Sequence, residues 1–152
     1  MQGNPQTLCK VVTLLVPTSL SATTTLNNSS PNLDVDTFGF AEALIIIGQS
    51  DAITATSDLL AIQFKETATA GSAYTDITGA LASVTGAAVA GPPATGDNTT
   101  QVGRIKLEGR KRYLSATLTE TGTFSGTVEI VVVLLGRADT ASTAQSYSFN
   151  VI

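Results

Sequence analysis

The chain has 152 residues, 43% of them apolar and 13% charged, with a net charge of −4, no histidine, no tryptophan and one cysteine. That length suits one domain with a core of its own, and the apolar content excludes an intrinsically disordered chain. Histidine is the usual proton shuttle and the commonest metal ligand, so its absence, with no cysteine cluster, closes the easiest routes to catalysis and metal binding.

Met1 is the only methionine and reads as the initiator. Residues 1–7 are mostly polar and carry no Lys or Arg, so no signal peptide is expected. No apolar run approaches the roughly 20 residues that span a bilayer. A soluble protein made in a cytoplasm is the expectation, with no membrane partner.

Residues 8–16 form a β-branched and aliphatic run, read as a first strand stopped at Pro17, which cannot donate to a ladder. Residues 1–17 are therefore taken as an N-terminal arm with the first strand, and residues 18–152 as a single β-sandwich domain. Cys9 cannot close an intrachain disulfide and is expected to be a small apolar side chain of that strand. Residues 19–31 read as a polar loop with turn chemistry at Asn27, Asn28 and Pro31. Residues 40–48 hold the run Leu44-Ile45-Ile46-Ile47, too short for a globular helix and consistent with a buried strand. Residues 50–58 are polar and break that run.

Leu60, Ile62 and Phe64 alternate with Ala61, Gln63 and Lys65, the period of a half-buried strand. A small-residue turn is expected around Gly71, then a short strand over 74–78. Residues 79–90 are small, smooth and weakly patterned; alanine permits a short helix there, but Thr85, Gly86 and Val89 argue against one. Gly91-Pro92-Pro93 and Thr95-Gly96-Asp97-Asn98 mark a long loop. Ile105 and Leu107 alternate with Arg104, Lys106 and Glu108, and Leu114, Ala116 and Leu118 alternate with Ser115, Thr117 and Thr119. Residues 108–112 between them suit a charged hairpin corner or an edge-strand kink. Residues 128–135 are the most hydrophobic strand, and Tyr147, Phe149 and Val151 alternate in a last strand expected to pair in a sheet. About eight strands without an amphipathic helix indicate an all-β, antiparallel β-sandwich, jelly-roll-like, with an extended N-terminal arm.

The inventory of chemistry is thin. Serine and threonine abound, but no histidine can serve as base and no G-x-S-x-G elbow occurs, so no enzyme is expected. Asp34 and Asp36 would share a side if extended, and Asp51 and Asp58 flank a polar loop. No segment fits a D-x-D-x-D-G calcium loop, and these read as solvated loop carboxylates. No phosphate-cradling G-x-x-x-x-G-K-[ST] loop exists either. No cofactor and no metal are expected.

Charge is unevenly distributed. Residues 1–103 carry two basic and eight acidic side chains, residues 104–152 six basic and four acidic, and five of the basic ones lie between Arg104 and Arg112. That stretch serves either as a protein contact or as a charged strand edge that discourages wrong pairing. Only Tyr113 stands nearby to stack on a base, so no nucleic acid is expected as partner.

Three segments resemble the small head decoration, or cement, proteins of tailed bacteriophages. They are the lead and strand Leu33-Asp34-Val35-Asp36-Thr37-Phe38-Gly39-Phe40-Ala41-Glu42-Ala43-Leu44-Ile45-Ile46-Ile47-Gly48, the strand Leu60-Ala61-Ile62-Gln63-Phe64-Lys65-Glu66 with Tyr74-Thr75-Asp76-Ile77, and Arg112-Tyr113-Leu114-Ser115-Ala116-Thr117-Leu118-Thr119 with the valine-rich strand ending Leu134-Leu135-Gly136-Arg137. Relatives often carry a Trp in the turn before the Asp-Ile pair, where this chain has Tyr74. The resemblance implies a sandwich subunit on the exterior of an icosahedral phage capsid, its partners the major capsid protein and itself, as a homotrimer where capsid subunits meet. Candidate contacts are Gln2, Asn4 and Leu8 of the arm, Val84, Pro92 and Pro93 of the smooth segment and its loop, and Arg104, Lys106, Arg110, Lys111 and Arg112 of the basic stretch. The alternatives are a tail, fibre or head-spike module binding a host receptor or glycan, a carbohydrate-binding sandwich, and a main coat protein that builds the shell.

Overall fold

The computed structural model describes residues 9–21, 35–50, 59–85, 99–121, 125–136 and 149–151. They build nine strands: β1 (Cys9–Ser21), β2 (Val35–Asp36), β3 (Glu42–Ser50), β4 (Leu59–Thr67), β5 (Thr75–Thr85), β6 (Thr99–Lys106), β7 (Tyr113–Thr121), β8 (Ser125–Leu135) and β9 (Phe149–Val151). Among the described residues there is no helix. One sheet has the order β1-β8-β3-β6-β9 and the other β2-β7-β4-β5.

The pairing is nested. β1 lies antiparallel to β8, β2 to β7, β3 to β6 and β4 to β5. Among β1 to β8 the first pairs with the last and each inner pair follows, which is the strand order of a jelly roll. The sequence-based reading of an all-β, jelly-roll-like sandwich therefore stands, with β2 a short member and β9 a short addition.

Alternation explains why two layers form. Ile45 and Ile47 of β3, Val128, Ile130, Val132 and Leu134 of β8, and Ile105 of β6 turn one way and are buried. Ile62 and Phe64 of β4, Leu114 and Leu118 of β7, and Ile77 of β5 face them from the second sheet in a single apolar cluster. Each such side chain taken fully from water contributes about 1.5–3 kcal/mol, which no short strand pair could gather alone.

Several expectations need correction. β1 does not stop at Pro17 but runs to Ser21, so residues 19–21 of the expected loop are strand. Among the described residues β1 is an edge strand paired only with β8, and its register shifts on either side of Leu15 place Pro17 where a missing N–H breaks no ladder. It is also part of the sandwich, since Leu14 and Leu15 are buried in the core. Cys9 opens this strand but is exposed on it, not a packed apolar side chain.

The smooth segment after Thr78 is neither helix nor loop as far as Thr85; it completes β5. Gln63 stands opposite Leu81 and Lys65 opposite Asp76, so residues 77–80 bulge across from Phe64. Gly79 takes φ +82 there, a conformation that suits glycine. The Gln63 side-chain amide reaches the carbonyls of Phe64, Ile77 and Ala80 at 2.9, 3.0 and 3.2 Å, so the bulge leaves these acceptors satisfied. Residues 108–112 are not a hairpin corner. They carry the chain from β6 in one sheet to β7 in the other, and β6 is flanked on both sides, by β3 and β9. β9 pairs, as expected of the C-terminal strand, but parallel to β6. The loops expected at residues 22–31, 51–58 and 91–98 lie outside the described residues.

Candidate functional site

Alternating chain direction puts the β2–β3, β4–β5 and β6–β7 connections at one end of the sandwich. Each contains a tight turn closed by an N–H to carbonyl bond of 3.1 Å, Phe40 to Thr37, Ser72 to Thr69 and Arg110 to Leu107. Gly39, Gly71 and Gly109 occupy the third position with φ +86, +69 and +77, the requirement of a type II turn.

The first of these turns presents Phe38 to solvent, 76% exposed. It is held from several sides. Asp36 Oδ1 accepts the Phe38 N–H at 3.0 Å, an Asx turn leading into the tight turn. Thr37 donates to the Arg112 carbonyl from both its N–H, 2.9 Å, and its hydroxyl, 2.6 Å. Arg112 grips Asp36 in turn, Nε to Oδ1 at 3.0 Å and Nη2 to Oδ2 at 2.7 Å, the fork geometry of a bidentate pair. Its guanidinium carbon lies 5.2 Å from the ring centres of both Phe38 and Tyr113. The Arg112 hydrogen bonds, then the Phe38 N–H, hold the Asp36 carboxyl at about 2, below its ordinary 3.8.

The rest of the basic stretch is distributed among acidic neighbours. Arg110 lies 3.9 Å from Glu66, and Lys106 lies 3.9 Å from Glu108. Lys111 donates its N–H to Glu66 at 3.2 Å and its ammonium to the Thr75 hydroxyl at 2.7 Å. Arg110, Lys111 and Arg112 thus gather at the turn end with carboxylates interleaved, which is no uncompensated positive patch. Arg104 sits apart, on the outer face of β6, paired with Glu42 of β3. Of the other candidates, Val84 belongs to β5, an edge strand of the four-stranded sheet. Gln2, Asn4, Leu8, Pro92 and Pro93 lie outside the described residues.

The outer faces of the two sheets differ. On the four-stranded sheet Gln63, Lys65, Thr117 and Thr119 point away from the core. On the five-stranded sheet the outward positions include Leu44 and Ile46 of β3, Val131, Val133 and Leu135 of β8, Val102 of β6 and Val11 of β1, together with the charged Glu42, Arg104, Lys106 and Glu129. Val11 is 65% exposed and the other apolar ones are half-buried. This outer face thus carries a contiguous apolar cluster, whereas the outward positions of a free-standing sandwich are polar.

Phe38 was not singled out by residue reasoning, because a lone phenylalanine reads as core. The signal was present in Asp36-Thr37-Phe38-Gly39, an Asx residue two before a residue that glycine follows, which places Phe38 on a turn tip. Among the described residues no group of three or more His, Cys, Asp or Glu side chains could hold a metal. Comparison of the chain with protein-family models finds no match, and comparisons with curated proteins and with solved structures find none either.

Proposed function

We propose that this chain is a structural virion protein, a decoration subunit that binds the exterior of an icosahedral phage capsid where capsid subunits meet and stabilises the shell. The observation that carries the reading is the asymmetry of the sandwich. One outer face is polar and suited to water; the other carries a contiguous cluster of valine, leucine and isoleucine, bordered by the Glu42–Arg104 pair, that favours a cover. Homo-oligomer interfaces are the apolar kind, so this face supports self-association as a trimer. The jelly-roll strand order is compatible with it, being common among viral capsid and lectin domains, although fold alone assigns no function. The family resemblance of the β3, β4 and β7 segments points the same way.

Purified protein mixed with expanded heads that lack it, then sedimented, tests this reading. Saturable co-sedimentation at a stoichiometry matching a lattice site is the expected result. Absence of binding to any expanded head would contradict it and favour a tail, fibre or glycan-binding module. Closed shells formed by the protein alone would favour a main coat protein.

A further inference from the structure

We propose that Phe38 is the anchor by which the protein docks on its capsid partner, inserted into an apolar pocket whose rim offers a hydrogen-bond acceptor to Arg112. The inference rests on the decoration reading above and names its contact residue.

Exposure is the first argument. Phe38 is one of three large apolar side chains exposed among the described residues, and the only aromatic one. Phenylalanine and arginine are both enriched at protein interfaces, and here the Arg112 guanidinium carbon lies 5.2 Å from the Phe38 ring centre.

Preorganisation is the second. The Asx turn from Asp36, the tight turn closed by Phe40 and the two Thr37 bonds to the Arg112 carbonyl fix the backbone that carries the ring. The bidentate Asp36–Arg112 pair fixes the cation beside it. A side chain already held in its bound position loses little freedom on docking.

The chemistry then selects the partner. Phe38 stands at the second position of a turn, a convex tip, so it enters a pocket and does not form one. Sugars and small ligands are received in concave sites. Asp36 neutralises Arg112, which disfavours a phosphate backbone as the target. Arg112 uses Nε and Nη2 on Asp36, while its Nη1 makes no hydrogen bond among the described residues and remains for an acceptor on the partner. A protein surface with an apolar pocket and a polar rim fits these demands.

The experiment is a titration of expanded heads lacking the protein with wild type, Phe38→Ala and Phe38→Leu, each first checked for unchanged melting temperature and solution mass. The residue is 76% exposed, so folding should survive both changes. Wild type should bind, Phe38→Ala should bind at least about 30-fold more weakly, the size of an interface hot spot, and Phe38→Leu should retain most of the affinity. Phe38→Ala binding like wild type overturns the inference and leaves the decoration reading intact. Failure of wild type to bind any head overturns both. A glycan-array signal of the wild type that disappears in Phe38→Ala overturns the protein-pocket assignment in favour of a sugar.

Discussion

Glu42 of β3 and Arg104 of β6 form an ion pair on the apolar outer face of the five-stranded sheet, with side chains only 6% and 14% exposed. Leu135 and Leu44 are their respective neighbours in the register, on β8 and β3. Removing one member of a buried pair leaves the other charge uncompensated, at a cost of about 3 kcal/mol or more, whereas replacing both by apolar groups is often neutral. Glu42→Gln should therefore lower the unfolding free energy by about 3 kcal/mol in urea titrations. The double change Glu42→Leu with Arg104→Met should recover most of that loss. A single-variant effect below about 0.5 kcal/mol, the scale of an ordinary surface change, would contradict this role for the pair.

How far the sequence spoke for itself depended on whether one side of a strand met water. Leu60-Ala61-Ile62-Gln63-Phe64 and Leu114 to Leu118 alternate cleanly because the four-stranded sheet is wet outside, and both strands were legible. In Leu44-Ile45-Ile46-Ile47 the alternation is silent: Ile45 and Ile47 enter the core while Leu44 and Ile46 face outward, and hydropathy assigns all four alike. Pro17 misled because its tolerance depends on β1 being an edge, a property of strand order. The β5 bulge was hidden because it depends on Gln63, fourteen residues from Ile77. The turn-end cluster was half visible: Arg112 stood out by charge, but its partner Asp36 is 76 positions away and looked like a solvated carboxylate.

The depressed Asp36 ionisation gives a pH dependence with a definite sign. Arg112 and the Phe38 N–H favour the charged carboxylate in the folded state, so the folded protein binds this proton less readily than the unfolded chain. The stabilisation is whole above 3.8 and is lost as pH falls toward about 2. Both groups are substantially exposed, so solvent screening keeps the effect modest. Melting curves from pH 6 down to pH 2 should show wild type above Asp36→Asn at the upper end and the two converging at the lower. Curves that stay parallel throughout would show that the pair does not contribute.

The bulge in β5 rests on one side chain. Gln63→Leu keeps the bulk but removes the donor to the Ile77 and Ala80 carbonyls, and should cost about 1–3 kcal/mol in urea unfolding, the penalty of unsatisfied buried acceptors. Gly79→Ala should cost about 1 kcal/mol, through its positive φ, since the nearest atom to an added Cβ is a Val151 methyl at an ordinary 3.9 Å. Wild-type stability in both variants would mean that the bulge is not fixed by these contacts.

Self-association through the apolar face has its own test. Val133 lies at the centre of that face, between Val11 and Leu44 in the register. Val133→Asp should lower the mass measured by light scattering from that of a trimer to that of a monomer. Thr119→Asp, on the polar face of the other sheet, should leave the mass unchanged. Equal masses for wild type and Val133→Asp would remove this face from the interface.

A decoration subunit of this kind strengthens its shell, which calorimetric melting of expanded heads with and without saturating protein measures. A ligand that binds the assembled state alone stabilises that state by mass action. Decorated heads should show the shell transition at higher temperature, with the shift rising to a plateau at the binding stoichiometry. An unchanged transition in heads that demonstrably carry the protein would contradict the cementing role.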